Sequence, residues 1–216
     1  MIQQNVIYLQ NYLMPKPILL LETIKIKNGE ISNLYYHQQR VNKSRQTLYK
    51  MNDILDISKH IIAPEKGLYR CRVIYHTHIH AIEYIPYTPK TIQSLKIVPT
   101  QLKYALKYLN RVDINALVHT HQNFDDILFE KNGYICDTSI ANIAFFDGIQ
   151  WVTPKNPLLP GTMRSKLLEE GFLIEKNIRK ESINAYSQVA LMNAMIGFKI
   201  LKNIEIHNTQ GIIYDY

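Results

Sequence analysis

The stretch 132–148 constrains the fold more than any other part of this chain, because it combines two turn signals with one acidic side chain. An Asn-Gly pair begins the stretch and an Asp-Gly pair ends it, and both pairs are typical of tight turns between antiparallel strands. The residues between them predict two strands, and Asp137 lies between their apolar runs. A carboxylate close to an apolar core needs a cationic partner. The sequence therefore predicts a buried Asp137 and leaves its partner to be found.

The composition is that of an ordinary globular protein. Of the 216 residues, 46% are hydrophobic and 20% are charged, and no apolar run is long enough to span a bilayer. The N-terminus lacks the basic and then apolar pattern of a signal peptide. Cys71 and Cys136 each lie in a strand-like run, which favours buried thiols in a reducing compartment over a disulfide framework. We therefore expect a cytoplasmic protein that does not bind a membrane.

The formal net charge of +7 has two interpretations. It could mark a surface for nucleic acid, or it could reflect scattered lysines and a preference for small anionic molecules. No run of Lys or Arg is longer than two, and there is no RNA-binding aromatic motif. We therefore expect no nucleic-acid partner, and a non-catalytic basic binding protein stays open only as a third hypothesis.

Apolar periodicity predicts strands and helices in both halves of the chain. The predicted strands occupy residues 18–26, 68–75, 80–87, 95–98, 127–130, 134–137, 143–146, 151–153 and 189–192. The predicted helices occupy residues 35–51 and 53–62, and a third runs from the turn 159–164 to Glu170. Residues 101–111 form a polar, helix-prone piece, and the best candidate for a domain boundary is 88–101. The pattern predicts an α+β fold with a small N-terminal α/β domain (1–99) and a larger strand-rich domain (100–216).

Two turns have the residue types of an anion site. Thr162 and Met163 follow Gly161 at the start of the third predicted helix, where backbone N–H groups and a hydroxyl would converge. Asn193 and Ala194 follow an apolar strand and could supply further amides. Taken alone, each turn is explained better as an ordinary connection between elements.

Alternating histidines suggest a different chemistry. His76, His78 and His80 would share one face of an extended strand, and the spacing recurs at His119 and His121. A histidine-metal hydrolase is therefore the alternative enzyme. An exposed polar loop explains the pattern more simply, because no carboxylate can be placed with these histidines, and we predict no metal site.

Lys107 lies between the two predicted domains, and on its own it would be a solvated lysine. What distinguishes it is a set of motifs that occur in order along the chain. They are the hairpin 21–30, the His-x-x-Arg of 37–40, the Lys-Tyr-Leu-Asn-Arg of 107–111, the strand 132–142 and the Pro-Gly-Thr-Met-Arg of 160–164. From Leu20 to Lys199, this set resembles the fold-type IV pyridoxal-phosphate enzymes, the class IV aminotransferase and 4-amino-4-deoxychorismate lyase family.

The resemblance implies pyridoxal 5'-phosphate as the cofactor. It implies that Lys107 is the Schiff-base lysine and that Asp137 pairs with the pyridine nitrogen of the cofactor. It implies that Arg40 binds the phosphate, together with the two turns that contain Thr162, Met163, Asn193 and Ala194. The protonated ring would then be the cationic partner that Asp137 needs.

The resemblance also implies a D-amino-acid aminotransferase-like architecture with a pseudo-barrel C-terminal domain, and a homodimer. The substrate would be a small amino acid or amino-bearing carboxylate. The Lys-x-x-Asn-Arg segment slightly favours a lyase over an aminotransferase. Arg72 is a candidate for a substrate carboxylate, although a structural role on its strand explains it equally well.

The sequence departs from the family pattern at two places. The family usually has glutamate at the position of Asp137, so we expect a small backbone shift to offset the shorter side chain. The family also has Asp-Arg-Gly and Gly-Asp-Gly segments before its first hairpin, and this chain has neither. We therefore expect a substrate pocket that is partly rebuilt.

Overall fold

A four-stranded antiparallel sheet forms the N-terminal part of the protein. The structure is a computed structural model that describes residues 17–215. The strands are β1 (Leu20–Lys27), β2 (Glu30–Ile31), β3 (Leu68–Tyr75) and β4 (Ile79–Pro86), in the order β2-β1-β3-β4. Helix α1 (Leu34–Tyr49) covers one face of this sheet. Val41 of the helix shares a buried cluster with Leu20, Ile24 and Ile26 of β1. The alternation of apolar and polar residues along β1 therefore gives the sheet one face that is buried under α1.

A ten-stranded mixed sheet forms the rest of the described chain. Its strands are β5 (Ser94–Pro99), β6 (Asp126–Lys131), β7 (Tyr134–Thr138), β8 (Asn142–Phe146), β9 (Trp151–Pro154), β10 (Leu173–Lys176), β11 (Gln188–Asn193), β12 (Gly197–Ile200), β13 (Glu205–Asn208) and β14 (Gly211–Asp215). The order is β10-β9-β8-β7-β6-β5-β13-β14, and β11 pairs with both β8 and β12. Helices α2 (Val112–Thr120) and α3 (Thr162–Glu169) and a short 3-10 helix (Lys180–Ala185) connect these strands. The largest buried cluster includes Leu95, Leu128 and Phe145, which are fully buried.

The turn signals that framed 132–148 lie where the sequence predicts them. Asn132 and Gly133 join β6 to β7, and both have positive φ, as a tight hairpin turn requires. Gly148 also has positive φ and lies in the connection from β8 to β9. Asp137 is consequently placed near the end of β7, directly opposite Asn142 on β8.

Two predicted helical segments are wrong. Residues 53–62 contain only a 3-10 helix (Ile57–His60), because the side chain of Gln38 binds the backbone of Leu55 and Ile57 and takes the place of helical hydrogen bonds. Residues 101–111 contain no helix at all. Tyr108 instead bridges Leu20 of β1, in the backbone pairing described next.

The segment around Lys107 joins the two sheets. The carbonyl of Lys107 accepts from Leu21 N at 2.9 Å, and Leu109 N donates to the carbonyl of Leu19 at 2.9 Å. These bonds run as they would in an antiparallel strand pair, so the backbone of Lys107 is held against the edge of the first sheet. An extended segment paired with β1 thus replaces the predicted helix and fixes the position of Lys107.

The predicted fold class is confirmed: the protein is α+β, with a small N-terminal α/β part and a larger, strand-rich C-terminal part. The boundary between domains 1–99 and 100–216 stays a prediction, and β5 pairs with β6 and β13 of the second sheet. The expectation about the missing N-terminal segments falls on residues 1–16, outside the described residues. None of the helices in 17–215 is both long and apolar enough to cross a membrane.

Candidate active site

A cleft of about 340 Å³ lies between the two sheets and is closed on one side by the segment that carries Lys107. Both halves of the chain line it, so the residues predicted from separate motifs meet in one place. The predicted residues that line the cleft are Arg40, Arg72, Lys107, Asp137, Thr162, Asn193 and Ala194.

Asp137 is a buried carboxylate that accepts hydrogen bonds but forms no ion pair. It is 4% exposed. Asn142 Nδ2 donates to its Oδ1 at 2.7 Å, and Leu159 N donates to its Oδ2 at 2.9 Å. No ion pair within residues 17–215 includes it. Burial raises the pKa of Asp137 to about 6, against the opposing effect of these two hydrogen bonds.

Lys107 faces the cleft with an amine that is easily deprotonated. Burial lowers the pKa of Lys107 to about 7, and the positive charge of Arg40 contributes, while Glu22 acts in the opposite direction. Roughly half of a group with such a pKa is neutral at pH 7. A neutral amine is a nucleophile and a proton acceptor, whereas an ordinary lysine at this pH is neither.

Arg40 belongs to a chain of hydrogen bonds that crosses the cleft wall. Its Nε and Nη2 donate to the two oxygens of Glu22 at 2.8 and 2.6 Å, in a bidentate pair. His37 Nδ1 donates to the same carboxylate at 2.6 Å, and His37 Nε2 lies 3.5 Å from Thr162 Oγ1. The remaining Arg40 nitrogen, Nη1, has only a 3.4 Å contact with the carbonyl of Pro160. Arg40 is therefore held by the protein and keeps one N–H edge for a ligand.

Glu22 is one of the residues of this site that the sequence does not predict. It is completely buried, and although burial acts against ionisation, Arg40 and His37 together lower the pKa of Glu22 to about 2. Because a carboxylate can only accept, His37 must donate from Nδ1, and burial lowers the pKa of His37 and keeps the ring neutral. The signal in the sequence was a single acid within the apolar run 18–26.

The two predicted anion turns both reach the cleft. Thr162 is buried and is the first residue of α3, so its backbone N–H is at the positive end of the helix. Asn193 accepts from Met195 N at 2.8 Å and from Ile196 N at 3.0 Å, which fixes the second turn. The side chain of Met163 packs in a cluster with Trp151 and does not line the cleft, so a role for Met163 stays a prediction.

Three further arginines, Arg70, Arg72 and Arg111, line the cleft. Arg72 is paired with Glu83 at 2.6 Å. Arg111 donates from Nη2 to the carbonyl of Ser139 at 2.6 Å. The Nε atoms of Arg70 and Arg111 are buried and have no hydrogen-bond acceptor among the described residues. The lining of the cleft therefore includes arginine N–H donors that have no hydrogen-bond acceptor among the described residues.

The comparison with protein families decides what kind of protein has this cleft. The family model described as amino-transferase class IV matches residues 19–204. The chain belongs to the class IV aminotransferase family. The members of this fold-type IV family are pyridoxal-phosphate-dependent aminotransferases and lyases, and the family resemblance seen in the motifs is thereby confirmed.

Relatives of this class IV chain include proteins described as lyases. An uncharacterised protein of Haemophilus influenzae is 35% identical over 184 residues, which cover 82% of this chain and 98% of that one. A Schizosaccharomyces pombe protein assigned provisionally as an aminodeoxychorismate lyase is 37% identical over 75 residues, 32% of each chain.

Two solved structures show the same architecture. A protein of Haemophilus somnus, assigned provisionally as a 4-amino-4-deoxychorismate lyase, has a TM-score of 0.78 at 36% identity and covers 85% of this chain and 99% of its own. A hypothetical aminotransferase from Mycobacterium tuberculosis in its PLP-bound form has a TM-score of 0.74 at 14% identity, with 93% of this chain and 84% of that chain covered, and it shows the fold alone.

The alternative enzyme class has no support from this class IV fold. His76 and His78 lie at the turn from β3 to β4, with ring centroids 4.1 Å apart, and Thr77 Oγ1 lies between their Nδ1 atoms. Within residues 17–215, no group of three or more His, Cys, Asp or Glu side chains is placed to hold a metal ion. The alternating histidines therefore give no evidence for a metal-dependent hydrolase.

Proposed function

We propose that this chain binds pyridoxal 5'-phosphate through Lys107 and acts on an amino acid or amino-bearing carboxylate. One observation carries the proposal: a single cleft contains both an amine with a pKa of about 7 and a buried carboxylate without an ion-pair partner. Burying an amine and a carboxylate so that their pKa values shift is costly for a protein without a ligand. Ionisable groups with shifted pKa values cluster at functional sites.

The residues of the cleft fit the three groups of this cofactor that need partners: the ring nitrogen, the aldehyde and the phosphate. Asp137 offers a carboxylate to the ring nitrogen, which would supply the ion-pair partner that Asp137 lacks among the described residues. Lys107 offers its amine to the aldehyde. The phosphate would be held by Thr162 at the start of α3, by the turn that begins at Asn193, and by the free edge of Arg40.

When bound, the cofactor supplies an aldehyde that condenses with amines and a ring that withdraws electrons from the adjacent carbon. Asp137, as an anion, would favour the protonated form of the ring nitrogen. Lys107 is well suited to accept and return a proton at Nζ, because its pKa is close to neutral. The positive charge of Arg40 also favours the neutral amine of Lys107, although Glu22 opposes this effect.

The substrate side of the proposal rests on the arginines. The buried, unpaired Nε atoms of Arg70 and Arg111 favour a ligand with carboxylate groups. Arg72 could contribute only by sharing its guanidinium with Glu83. We propose the release of pyruvate from aminodeoxychorismate as the first candidate reaction, supported by the Lys-x-x-Asn-Arg segment and by the relatives described as lyases. Transamination of an amino acid is the second candidate.

We also propose that the chain works as a homodimer in the cytoplasm. The homodimer follows the expectation for the family, and the cytoplasm is supported by Cys71 and Cys136, which are buried and unpaired.

Product analysis separates the two reactions. Protein loaded with pyridoxal 5'-phosphate is incubated with aminodeoxychorismate, and pyruvate is measured. In parallel, protein loaded with cofactor is incubated with single amino acids, and conversion of the cofactor to its amine form is followed by absorbance. Pyruvate release without amine formation supports the lyase, and the reverse supports the aminotransferase. If neither reaction occurs in cofactor-loaded protein, the proposed substrate class is wrong.

A further inference from the structure

The side chain of Asn142 contacts two parts of the cleft that are distant in sequence. It is 5% exposed and stands at the first position of β8. Its Nδ2 donates to Asp137 Oδ1 at 2.7 Å and to the carbonyl of Leu159 at 2.9 Å. Both partners can only accept, so the amide nitrogen must face them and the amide oxygen must point away.

The amide oxygen of Asn142 lies directly against Gly161. A Cβ atom at position 161 would come within 2.0 Å of Asn142 Oδ1 and 3.2 Å of its Cγ. The backbone of Gly161 has φ −76° and ψ 149°, which any residue can adopt. Glycine is therefore needed here for space and not for its backbone freedom, and the space is occupied by Asn142.

These contacts form a closed set that we call the clasp: Asp137, Asn142, Leu159 and Gly161. Leu159 N donates back to Asp137 Oδ2 at 2.9 Å, so the carboxylate receives one hydrogen bond on each oxygen. Gly161 directly precedes Thr162, where α3 begins. The clasp thus connects the carboxylate of Asp137 with the turn that leads to the N-terminus of α3.

We propose that Asn142 is a positioning residue that fixes both ends of the cofactor site at once, the carboxylate of Asp137 and the turn before Thr162. The inference rests on the proposed function, because it assigns Asp137 to the ring and Thr162 to the phosphate of the same molecule. Asn142 acts on the cofactor through these two anchors, since its amide binds Asp137 directly and lies against Gly161, the residue before Thr162.

Asp137 needs a positioning residue because its carboxylate is buried and must face the ring of the cofactor. The buried carboxylate of Asp137 must remain able to accept a hydrogen bond from the ring. The two donors that already bind its oxygens fix the plane of the carboxylate. A rigid cofactor also requires a constant distance between its two anchors. One side chain that binds both anchors provides that distance without a further element of structure.

Two substitutions separate positioning from simple packing. Asn142→Asp keeps the shape of the side chain, so it still fits against Gly161, but it replaces the donor to Asp137 by a second acid. Gly161→Ala keeps the amide and forces it away from its position. Thr153→Val is the matched control. Thr153 is fully buried and donates to the carbonyl of Ile143 on the same strand as Asn142, and among the described residues its side chain has no hydrogen bond to the clasp.

The first measurement is the affinity of each variant for pyridoxal 5'-phosphate and for pyridoxal, which lacks the phosphate, by absorbance titration. We expect Asn142→Asp to weaken the binding of both by about 10-fold or more, which is the effect of one lost hydrogen bond to a charged group. We expect Gly161→Ala to weaken pyridoxal 5'-phosphate and Thr153→Val to leave both affinities within about 2-fold of the unchanged protein.

The second measurement is thermal unfolding of the cofactor-free protein in a double-mutant cycle. Gly161→Ala is expected to lower the melting temperature when Asn142 is present and to have little effect in an Asn142→Ala background, because the three atoms nearest to the added Cβ all belong to Asn142. Additive effects would overturn the contact on which the clasp is based.

The outcomes distinguish this inference from the proposed function. If the unchanged protein binds neither pyridoxal 5'-phosphate nor pyridoxal, the proposed function fails. If the unchanged protein binds the cofactor and Asn142→Asp binds it within about 2-fold, with the fold intact by circular dichroism, Asn142 has no positioning role. A loss of affinity in Thr153→Val as large as in Asn142→Asp would show general destabilisation and would also overturn the proposal.

Discussion

Glu22 and Asp137 are two buried carboxylates of the site, and their environments shift their pKa values in opposite directions. Asp137 lines the cleft, whereas Glu22 lies behind it and binds Arg40, which lines the cleft. Glu22 is 0% exposed and Asp137 is 4% exposed. Burial acts against ionisation of both, but Arg40 and His37 bind Glu22 and lower its pKa to about 2. Burial raises the pKa of Asp137 to about 6, because its two hydrogen-bond donors and the charge of Arg164 offset only part of the cost of burial. Glu22 therefore has its cationic partner within the protein. Asp137 has no ion-pair partner among residues 17–215, and in the proposed function the ring of the cofactor would provide one.

The largest loss of stability is expected from a substitution of Arg40. Arg40→Ala should destabilise the protein by about 3–5 kcal/mol, because it leaves the Glu22 carboxylate buried without its guanidinium partner. Chemical denaturation of the cofactor-free protein measures this loss. The matched control is Arg72→Ala, whose pair with Glu83 is partly exposed (27% and 42%) and should cost less than about 1 kcal/mol. Equal losses for the two variants would contradict the distinction between a buried and an exposed ion pair.

The next effect is at Asp137 and depends on pH. Since its folded pKa of about 6 lies above the ordinary 3.8, the folded chain holds this proton more tightly, and stability is lost as the pH rises through that interval. Asp137→Asn removes the titration. Between pH 4 and pH 7 the stability of Asp137→Asn relative to the unchanged protein should rise by about 2–2.5 kcal/mol, measured by urea denaturation without cofactor. A difference that stays constant with pH would show that Asp137 ionises normally.

At Lys107 we expect a smaller effect, in which stability rises with pH instead of falling. Its folded pKa of about 7 lies below the ordinary 10.5, so the unfolded chain holds the proton more tightly, and stability rises from pH 7 towards pH 10. Lys107→Met should therefore stabilise the cofactor-free protein at pH 7, and the gain should shrink as the pH approaches 10. Because Lys107 is only half-buried, the gain should be smaller than at Asp137. Lys103→Met, at an exposed lysine, should show no such trend, and equal trends in both variants would contradict the prediction.

The residues of the site differ in how well the sequence predicts them. Asp137 and Thr162 are near sharp turn signals, and both lie where those signals place them. The order of the motifs predicts Lys107, which reaches the cleft on an extended segment although its local pattern favours a helix. The pairing with β1 decides the conformation there, and local spacing contains no information about a partner strand more than 80 residues away.

Glu22 and Asn142 could not be predicted in the same way. Each acts through partners distant in sequence: Glu22 through Arg40 and His37 of α1, and Asn142 through Leu159 and Gly161. A single acid in an apolar strand indicates that a partner is needed, but it does not indicate which cation provides it. Contacts of this kind follow from the packing of the two sheets and become visible only in three dimensions.

The central claim is that Lys107 is the attachment point of pyridoxal 5'-phosphate, and reduction with borohydride tests it most directly. Protein saturated with the cofactor is reduced, digested and mapped by mass spectrometry, with the exposed Lys103 as an internal control four residues away. We predict a yellow protein whose colour is lost on reduction, with the cofactor mass on Lys107 and none on Lys103. Label on Lys103 and not on Lys107, or a protein that takes up no cofactor and stays colourless, would contradict the claim.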